Sequence, residues 1–477
     1  MRLIDRVYID GRFAAPHGTE LFDLYNPAKG EVIGQVRLGD EADTRRAIAA
    51  AKRALPAFSR TGKSERITML RNLHDAVLRR TDALLEAVTE EYGAPNAFAS
   101  WMVTYAAKAF QDAAKTLESY EFTRRTGSAV VVMEPVGVVG LITPWNTNYF
   151  FICNKLATAI AAGCTAVIKP SEMSAIQTDL LTECLDEAGL PPGVFNIVNG
   201  RGDVVGSELT SHGDVAKISF TGSTEVGKGI LRAAAATMKR VTLELGGKSP
   251  TVVLNDANLE SAVQLVIQSG FGNNGQACIN GTRVLVPEER LNAFVPQLKN
   301  AVESMKVGDP RDPETVLGPL VSRKQYERVE EYIRAGLDEG ATLLTGGEGR
   351  PEGAGNGYFV KPTVFTNVTN DMKIAREEIF GPVLVVISYR TEQEAIAIAN
   401  DTVYGLHAYV ISSNQERAEA VAKQLEAGRV SINGAPHEPL APFGGFKQSG
   451  LGREYGVFGL ETFLEPKAVL GARAHAA

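Results

Sequence analysis

The stretch Gly137–Pro170, GVVGLITPWNTNYFFICNKLATAIAAGCTAVIKP, decides the fold. GVVGLI is an apolar run of buried-strand length, Tyr149–Ala162 is a longer helical segment closed by Gly163, and TAVIKP opens a second strand. A helix over Ser174–Ala188 follows, with Gly189 just past its end and Pro191 beyond. VFNIV, VAKISF and VTLEL continue as strands, with helical stretches between the first two and the last two. Repetition of this kind predicts a mostly parallel sheet with helices on its faces. The rhythm resumes with GPVLVVISY, a helix over Glu392–Asn400, HAYVIS, a helix over Gln415–Ala427, and GRVSIN. The expectation is therefore an α/β chain with two sheet systems, one before and one after about Gly247. The part before Tyr120 reads as mostly helical, as in Asp43–Arg53 and Ser64–Glu91. Thr123–Pro135 lies outside the rhythm. Its Val-rich edge is an aggregation hazard unless it is paired, which points to a subunit contact. TGGEGRPEGAGNG reads as a surface loop.

Composition narrows the function classes. A chain of 477 residues suggests about three units of domain size. Its 44% hydrophobic and 22% charged residues suit a globular protein with an ample core. Four Cys make no disulfide framework and point to a reducing compartment. With 49 basic against 56 acidic residues and a net charge of −7, nucleic-acid binding is disfavoured. No apolar run reaches the roughly 18 residues of a membrane span, since Ala129–Ile142 is broken by Glu134 and Pro135. MRLIDRVYIDGRFAAP lacks the apolar stretch of a secretory leader. A cytoplasmic protein without membrane or nucleic-acid partners is expected.

Two Gly-rich turns follow strands and invite a phosphate. VFNIVNGRGDVVG places Gly200, Gly202 and Gly206 one residue off the dinucleotide spacing, so a plain tight turn fits equally well. In KISFTGSTEVGKG, Gly222 through Lys228 follow the nucleoside-triphosphate loop, but Gly229 stands where a Mg²⁺-binding Ser or Thr is required. TVVLND, ending in Asp256, keeps phosphotransfer as the second reading. Gly222, Ser223 and a helix N-terminus still suit a diphosphate without phosphoryl transfer. No G-x-S-x-G elbow occurs, and the six His form no H-x-x-x-H or Cys pairing, so no metal site is expected. Cys153, Cys164 and Cys184 lie in helix or strand and read as small buried hydrophobes. Cys278, in SGFGNNGQACINGTR, sits in a polar loop whose backbone N–H dipoles favour a thiolate. Taken alone, it is as readily structural as reactive. Glu244 at the end of LEL is either a satisfied edge carboxylate or a general base. Asn146 in TPWN ends another strand, where its amide suits an oxyanion.

LELGGKSP, with Cys278 of GQACINGTR falling 34 residues after Glu244, resembles the paired signature of the aldehyde dehydrogenase superfamily. NPAKGEVIG, TPWN, AVIKPSE, FTGST, EEIFGPV and PFGGFKQSGLGRE match its recurring segments in order along nearly the whole chain. The resemblance implies that Cys278 attacks the aldehyde carbon, giving a thiohemiacetal whose oxyanion meets the Asn146 amide and the Cys278 N–H. Hydride transfer to the nicotinamide leaves a thioester, and Glu244 activates water to release the acid. Relatives that pass the acyl group to coenzyme A typically lack this glutamate, so a hydrolytic enzyme is implied. Lys169, Ser171 and Glu172 of KPSE would face the adenosine ribose, Gly222 and Ser223 the diphosphate, and Glu378 and Phe380 the nicotinamide ribose. Trp145 and Leu245 would line the cofactor, and Gly202 matches the adenine-side turn loosely. Glu172 would repel a 2′-phosphate, so NAD is preferred, while Lys169 leaves NADP open.

The resemblance also implies a Rossmann-like dinucleotide-binding domain (residues 1–116 and 136–246) and a second α/β catalytic domain (residues 247–446). A small β oligomerisation ribbon (residues 117–135 with 447–477) would build a homodimer or homotetramer. Phe151, Asn154, Ala277, Ile279, His437 and Phe443 would approach the aldehyde tail, suiting a medium-sized aldehyde of aromatic or terpenoid character. No Arg or Lys stands among them, which disfavours a second carboxylate on the substrate. Besides phosphotransfer, the competing reading is a non-catalytic protein on the same fold, against which the intact set Cys278, Glu244 and Asn146 argues.

Overall fold

The computed structural model describes residues 2–472; Met1 and residues 473–477, with His475 and the end of the 447–477 region, lie outside them. Two large sheets organise the chain. The first runs Gly450–Leu451, Arg240–Glu244, Val215–Thr221, Val138–Ile142, Thr165–Lys169, Phe195–Ile197, Val7–Ile9, Arg12–Ala14. From Arg240–Glu244 to Phe195–Ile197 its neighbours are parallel. Helix Asn148–Ala162 connects Val138–Ile142 to Thr165–Lys169 and ends on Gly163, whose φ of 84° forms the left-handed cap expected there.

Strand order reverses at Val138–Ile142, with the next strand in sequence on one side and Val215–Thr221 on the other. Such a switch point opens a crevice at the carboxyl ends of the strands. Asn146, Lys169, Gly222 and Glu244 all lie at or just beyond those ends.

The second sheet runs Thr342–Thr345, Thr363–Thr366, Val383–Tyr389, Arg283–Pro287, Pro250–Val253, His407–Ile411, Arg429–Ile432. The two sheets carry separate apolar cores. Between Glu244 and Pro250 the chain passes from the first sheet to the second, and Gly450–Leu451 later returns to the first.

The part before Tyr120 is mostly helical, as expected, but residues 2–37 form five strands, three of them building a separate sheet. Two finer expectations need correction. Ser64–Glu91 is two helices, Lys63–Arg79 and Thr81–Glu91, broken at Arg80. Gln415–Ala427 stops as a helix at Ala422.

The Val-rich segment forms a hairpin, Thr123–Thr126 with Ala129–Pro135, and Leu464–Val469 pairs antiparallel with it. This three-stranded ribbon begins only after helix Asn96–Ser119, so residues 117–119 belong to the helix. Gly450–Leu451 pairs with the Glu244 strand and so extends the first sheet, not the ribbon.

Candidate active site

The crevice is a cavity of about 1390 Å³, counted out to its open mouth, lying between the two sheets. Asn146, Glu244 and Cys278, drawn from three distant segments, share its wall. Trp145, Phe151, Gly222, Ser223, Leu245, Glu378 and Phe380 line it as well. Lys169, Ser171, Glu172 and Gly202 do not. Lys169 is a buried strand end ion-paired with Glu172 at 3.0 Å, and the Ser171 hydroxyl accepts the Met173 N–H at 3.3 Å. Gly202 opens a helical turn, and a Cβ there would meet nothing within 4 Å.

The Cys278 loop is built by backbone conformations that few residues adopt. Helix Leu259–Phe271 runs into Asn273, Asn274 and Gly275, with φ of 54°, 56° and 76°. The Asn273 amide donates to the carbonyls of Asn146 (2.9 Å) and Gln276 (3.0 Å), and its oxygen accepts the Tyr92 hydroxyl at 2.7 Å. The Asn274 amide donates to the Pro319 carbonyl at 3.1 Å. The Asn146 side chain gives one N–H to the Gln276 carbonyl at 2.9 Å, which fixes the amide and leaves its second N–H for the cavity.

LELGG ends in two glycines because the chain threads a gap that admits no side chain. A Cβ on Gly246 would stand 2.5 Å from the Glu378 carboxylate, and one on Gly247 would stand 2.5 Å from the Cys278 carbonyl. The Gly247 N–H donates to Glu378 at 3.0 Å.

Glu244 is 2% exposed, and neither carboxylate oxygen has a hydrogen-bond partner among the described residues. Burial raises its pKa well above the carboxylate range, the neighbouring Glu454 raises it further, and Lys155 pulls it back. Lys155 and Glu454 form a buried ion pair; Lys155 also donates to the Ser219 hydroxyl at 2.9 Å, and Asn154 donates to Glu454 at 3.1 Å. This pair was not anticipated. Its sequence signal is the single charged residue, Lys155, in the mostly apolar helical stretch FFICNKLATAIAA. Burial also raises the Glu378 carboxyl, to about 7.

The thiolate expectation is corrected. Burial lifts the half-buried Cys278 thiol well above its ordinary range, and Glu378 and Glu244 add to the effect. The N–H groups of Cys278 and Ile279 do favour the thiolate, but they are outweighed. Without cofactor, then, the thiolate fraction should follow a high-pH titration, because a raised pKa keeps the neutral thiol dominant through neutrality. Alkylation of Cys278 by iodoacetamide, followed by peptide mass spectrometry, should rise about tenfold per pH unit and still be rising at pH ~8.5, where a free cysteine levels off. A plateau already at neutral pH would contradict it. The other three Cys are buried and do not compete.

The residues assigned to the aldehyde tail separate. Phe151 faces the main cavity, whereas Asn154 and His437 line a narrower neighbouring cleft. Ala277 and Ile279 line neither; the Ile279 carbonyl accepts the Tyr409 hydroxyl at 3.1 Å. Phe443 is buried against Tyr455. An Arg does stand among them: Arg429 lies over the Phe443 and Tyr455 rings.

The phosphotransfer parts do not assemble. Lys228 is paired with Glu225 at 2.8 Å on the surface, and Asp256 is held by Ser412 and Arg417. Among the described residues, no cluster of metal-binding side chains occurs, and no helix is long and apolar enough to cross a membrane.

A thiol, an unpartnered carboxylate and a free amide N–H around one cavity are the parts needed to attack a carbonyl and then hydrolyse the product. Comparison with known proteins agrees. The model of the aldehyde dehydrogenase family matches residues 13–469. The chain is 47% identical to a 3-succinoylsemialdehyde-pyridine dehydrogenase of Pseudomonas sp., covering 99% of both chains. A mutant of aldehyde dehydrogenase C from Pseudomonas syringae, solved with NAD⁺ and octanal, is 44% identical with a TM-score of 0.97, covering 99% of this chain and 98% of that one. A Mycobacterium tuberculosis aldehyde dehydrogenase complexed with NAD⁺ is 40% identical with a TM-score of 0.96, covering 100% of both. Motifs, fold and similarity over nearly its full length converge: this chain belongs to the aldehyde dehydrogenase family.

Proposed function

We propose that Cys278 is the nucleophile, Asn146 the oxyanion donor and Glu244 the hydrolytic base of an NAD-dependent oxidation of aldehydes to carboxylic acids. The reading rests on one observation above all: these three side chains, remote in sequence, meet in one cavity where the carboxylate has no other task. Cys278 Sγ adds to the carbonyl carbon, and the thiol proton leaves to solvent or a neighbouring base. The oxyanion is held by the free Asn146 N–H and by backbone N–H at Cys278. A dinucleotide held by Trp145, Gly222, Ser223, Leu245, Glu378 and Phe380 would supply the hydride acceptor for the reacting carbon. Glu244, with its raised pKa, takes a proton from water as that water attacks the thioester, and Lys155 and Glu454 lie beside it.

The cavity suits a dinucleotide. It lies at the carboxyl ends of parallel strands, Gly222 and Ser223 lead into helix Thr224–Ala235, and Trp145 meets Phe380 edge to face at 5.4 Å. Trp145 and Leu245 would flank the dinucleotide there, and Glu378 would take the ribose hydroxyls near the reacting ring. Lys169, Ser171 and Glu172 would extend the site to the adenosine ribose, with Gly202 at the adenine-side turn. On this reading residues 1–116 and 136–246 form the dinucleotide-binding domain, residues 247–446 the catalytic domain, and the ribbon strands join subunits into a homodimer or homotetramer. Thr123–Thr126, exposed along its length at one ribbon edge, supports such a contact. The low charge and soluble composition fit a cytoplasmic enzyme.

Purified enzyme should form NADH and carboxylic acid in equal amounts from an aldehyde, without coenzyme A. Glu172→Gln should raise the ratio of kcat/KM with NADP to that with NAD by about tenfold or more, since it removes the charge facing a 2′-phosphate and frees Lys169. An unchanged ratio would remove Glu172 from the cofactor site.

A further inference from the structure

The narrower cleft beside the catalytic cavity is walled by aromatic rings from three segments. On helix Asn96–Ser119, Phe98, Trp101 and Tyr105 stack in series, with centroids 5.3 and 4.7 Å apart. Tyr105 lines the cleft, and Trp101, 39% exposed, carries the stack from it out to the surface alongside. Across from it, Tyr105 approaches His437 at 6.1 Å, and His437 meets Tyr455 at 5.4 Å. Phe150 closes the ring, 6.3 Å from Trp101 and 6.2 Å from Tyr455. Phe150 lines this cleft while Phe151, the next residue of the same helix, lines the cavity that holds Cys278. The two rings are 5.8 Å apart, so the two spaces adjoin at this helix.

The charged groups of this region are engaged with one another or with the backbone. Arg429, over the Phe443 and Tyr455 rings, spends its donors on His437 and on the carbonyls of Glu438, Ala441 and Pro442, and Lys108, 5.6 Å from the Tyr105 ring centroid, is paired with Asp112 at 3.6 Å. At the inner end Asp112 lines the cleft with a half-buried carboxylate.

The polar group at the mouth is His437, and its hydrogen bond fixes its tautomer. A guanidinium only donates, so Arg429, 2.7 Å from Nδ1, makes that nitrogen the acceptor and leaves the proton on Nε2. At its mouth the cleft therefore offers stacking faces and the His437 N–H donor, and among the described residues the cations beside it are already paired.

We propose that this cleft selects neutral aldehydes whose tail ends in an aromatic ring and carries a hydrogen-bond acceptor. The ring stacks on Trp101 and Tyr105, and the acceptor meets His437 Nε2–H. Aromatic rings prefer the offset and edge contacts this wall provides, which a flexible alkyl chain does not exploit. The inference rests on Cys278 being the nucleophile. It makes Trp101 and His437 specificity-determining residues.

The test measures kcat/KM with saturating NAD on propanal, octanal, γ-phenylbutyraldehyde, β-benzoylpropionaldehyde and succinic semialdehyde. Wild type should prefer the two aryl aldehydes to octanal and use succinic semialdehyde worst. In Trp101→Leu the ratio for γ-phenylbutyraldehyde over octanal should fall roughly three- to tenfold. In His437→Phe, which keeps a ring at that place, the ratio for β-benzoylpropionaldehyde over γ-phenylbutyraldehyde should fall by about fivefold. Equal losses on octanal and the aryl aldehydes in Trp101→Leu, or ratios unmoved in both variants, would overturn the proposal. A wild-type enzyme inert on every aldehyde, propanal included, would instead overturn the Cys278 reading on which it stands.

Discussion

Cys278→Ala should abolish steady-state and burst formation of NADH, lowering kcat by roughly four orders of magnitude or more, the scale on which removal of a covalent nucleophile acts. The loss should be confined to chemistry. Cys278 is one wall residue among many in a large cavity, and alanine removes one atom from a residue that is half buried overall, so the fold and the dinucleotide site should survive. Trp145 lines that cavity and is one of the two Trp in the chain, which gives a direct control. NAD should quench its fluorescence in the variant with nearly wild-type affinity. Quenching retained while NADH formation is lost assigns Cys278 to bond formation. Activity within about tenfold of wild type would place the nucleophile elsewhere.

Glu244→Gln should separate the two halves of the reaction. The first turnover needs the thiol, and NADH should still appear as a burst stoichiometric with active sites. The steady-state rate should then drop about a hundred- to ten-thousandfold, because water meets an amide that takes no proton. The substitution is unusually clean. Neither carboxylate oxygen of Glu244 has a hydrogen-bond partner to lose, and glutamine removes a charge that burial and Glu454 already disfavour. The folded protein should therefore be no less stable, as thermal unfolding can check. Loss of the burst as well would mean that Glu244 also takes the thiol proton, which the raised pKa of Cys278 makes a specific alternative to observe.

The sequence revealed the parallel strands and the residues at their ends because each is a local event: an apolar run, then Asn146, Lys169, Gly222 or Glu244, then a helix. The short N-terminal strands escaped for the complementary reason. Arg2–Ile4, Val7–Ile9 and Arg12–Ala14 are three residues each, too brief for an alternation to register. The break at Arg80 carries no Gly or Pro, so a helical pattern runs through it. The site shows the same division. Cys278, Glu244 and Asn146 stand in recognisable motifs, but what holds them does not. Tyr92 reaches Asn273 from 181 residues away, and Lys155 pairs with Glu454 across 299. Nor could spacing say that Arg429 would sit among the substrate-side rings with its donors already engaged. The sign of the Cys278 shift was likewise invisible, since it depends on how deeply a polar loop is buried between two sheets.

Gly247 has one further consequence. Its N–H is anchored on Glu378, and its α-carbon lies against the Cys278 carbonyl, so a single residue is the spacer between the carboxylate assigned to the ribose and the loop of the nucleophile. With no side chain to act as cushion, only the main chain of Gly247 separates the Glu378 carboxylate from the backbone at Cys278. A side chain at residue 247 would have to push on the Cys278 carbonyl, so this one glycine ties the geometry of the nucleophile loop to that of the carboxylate across from it.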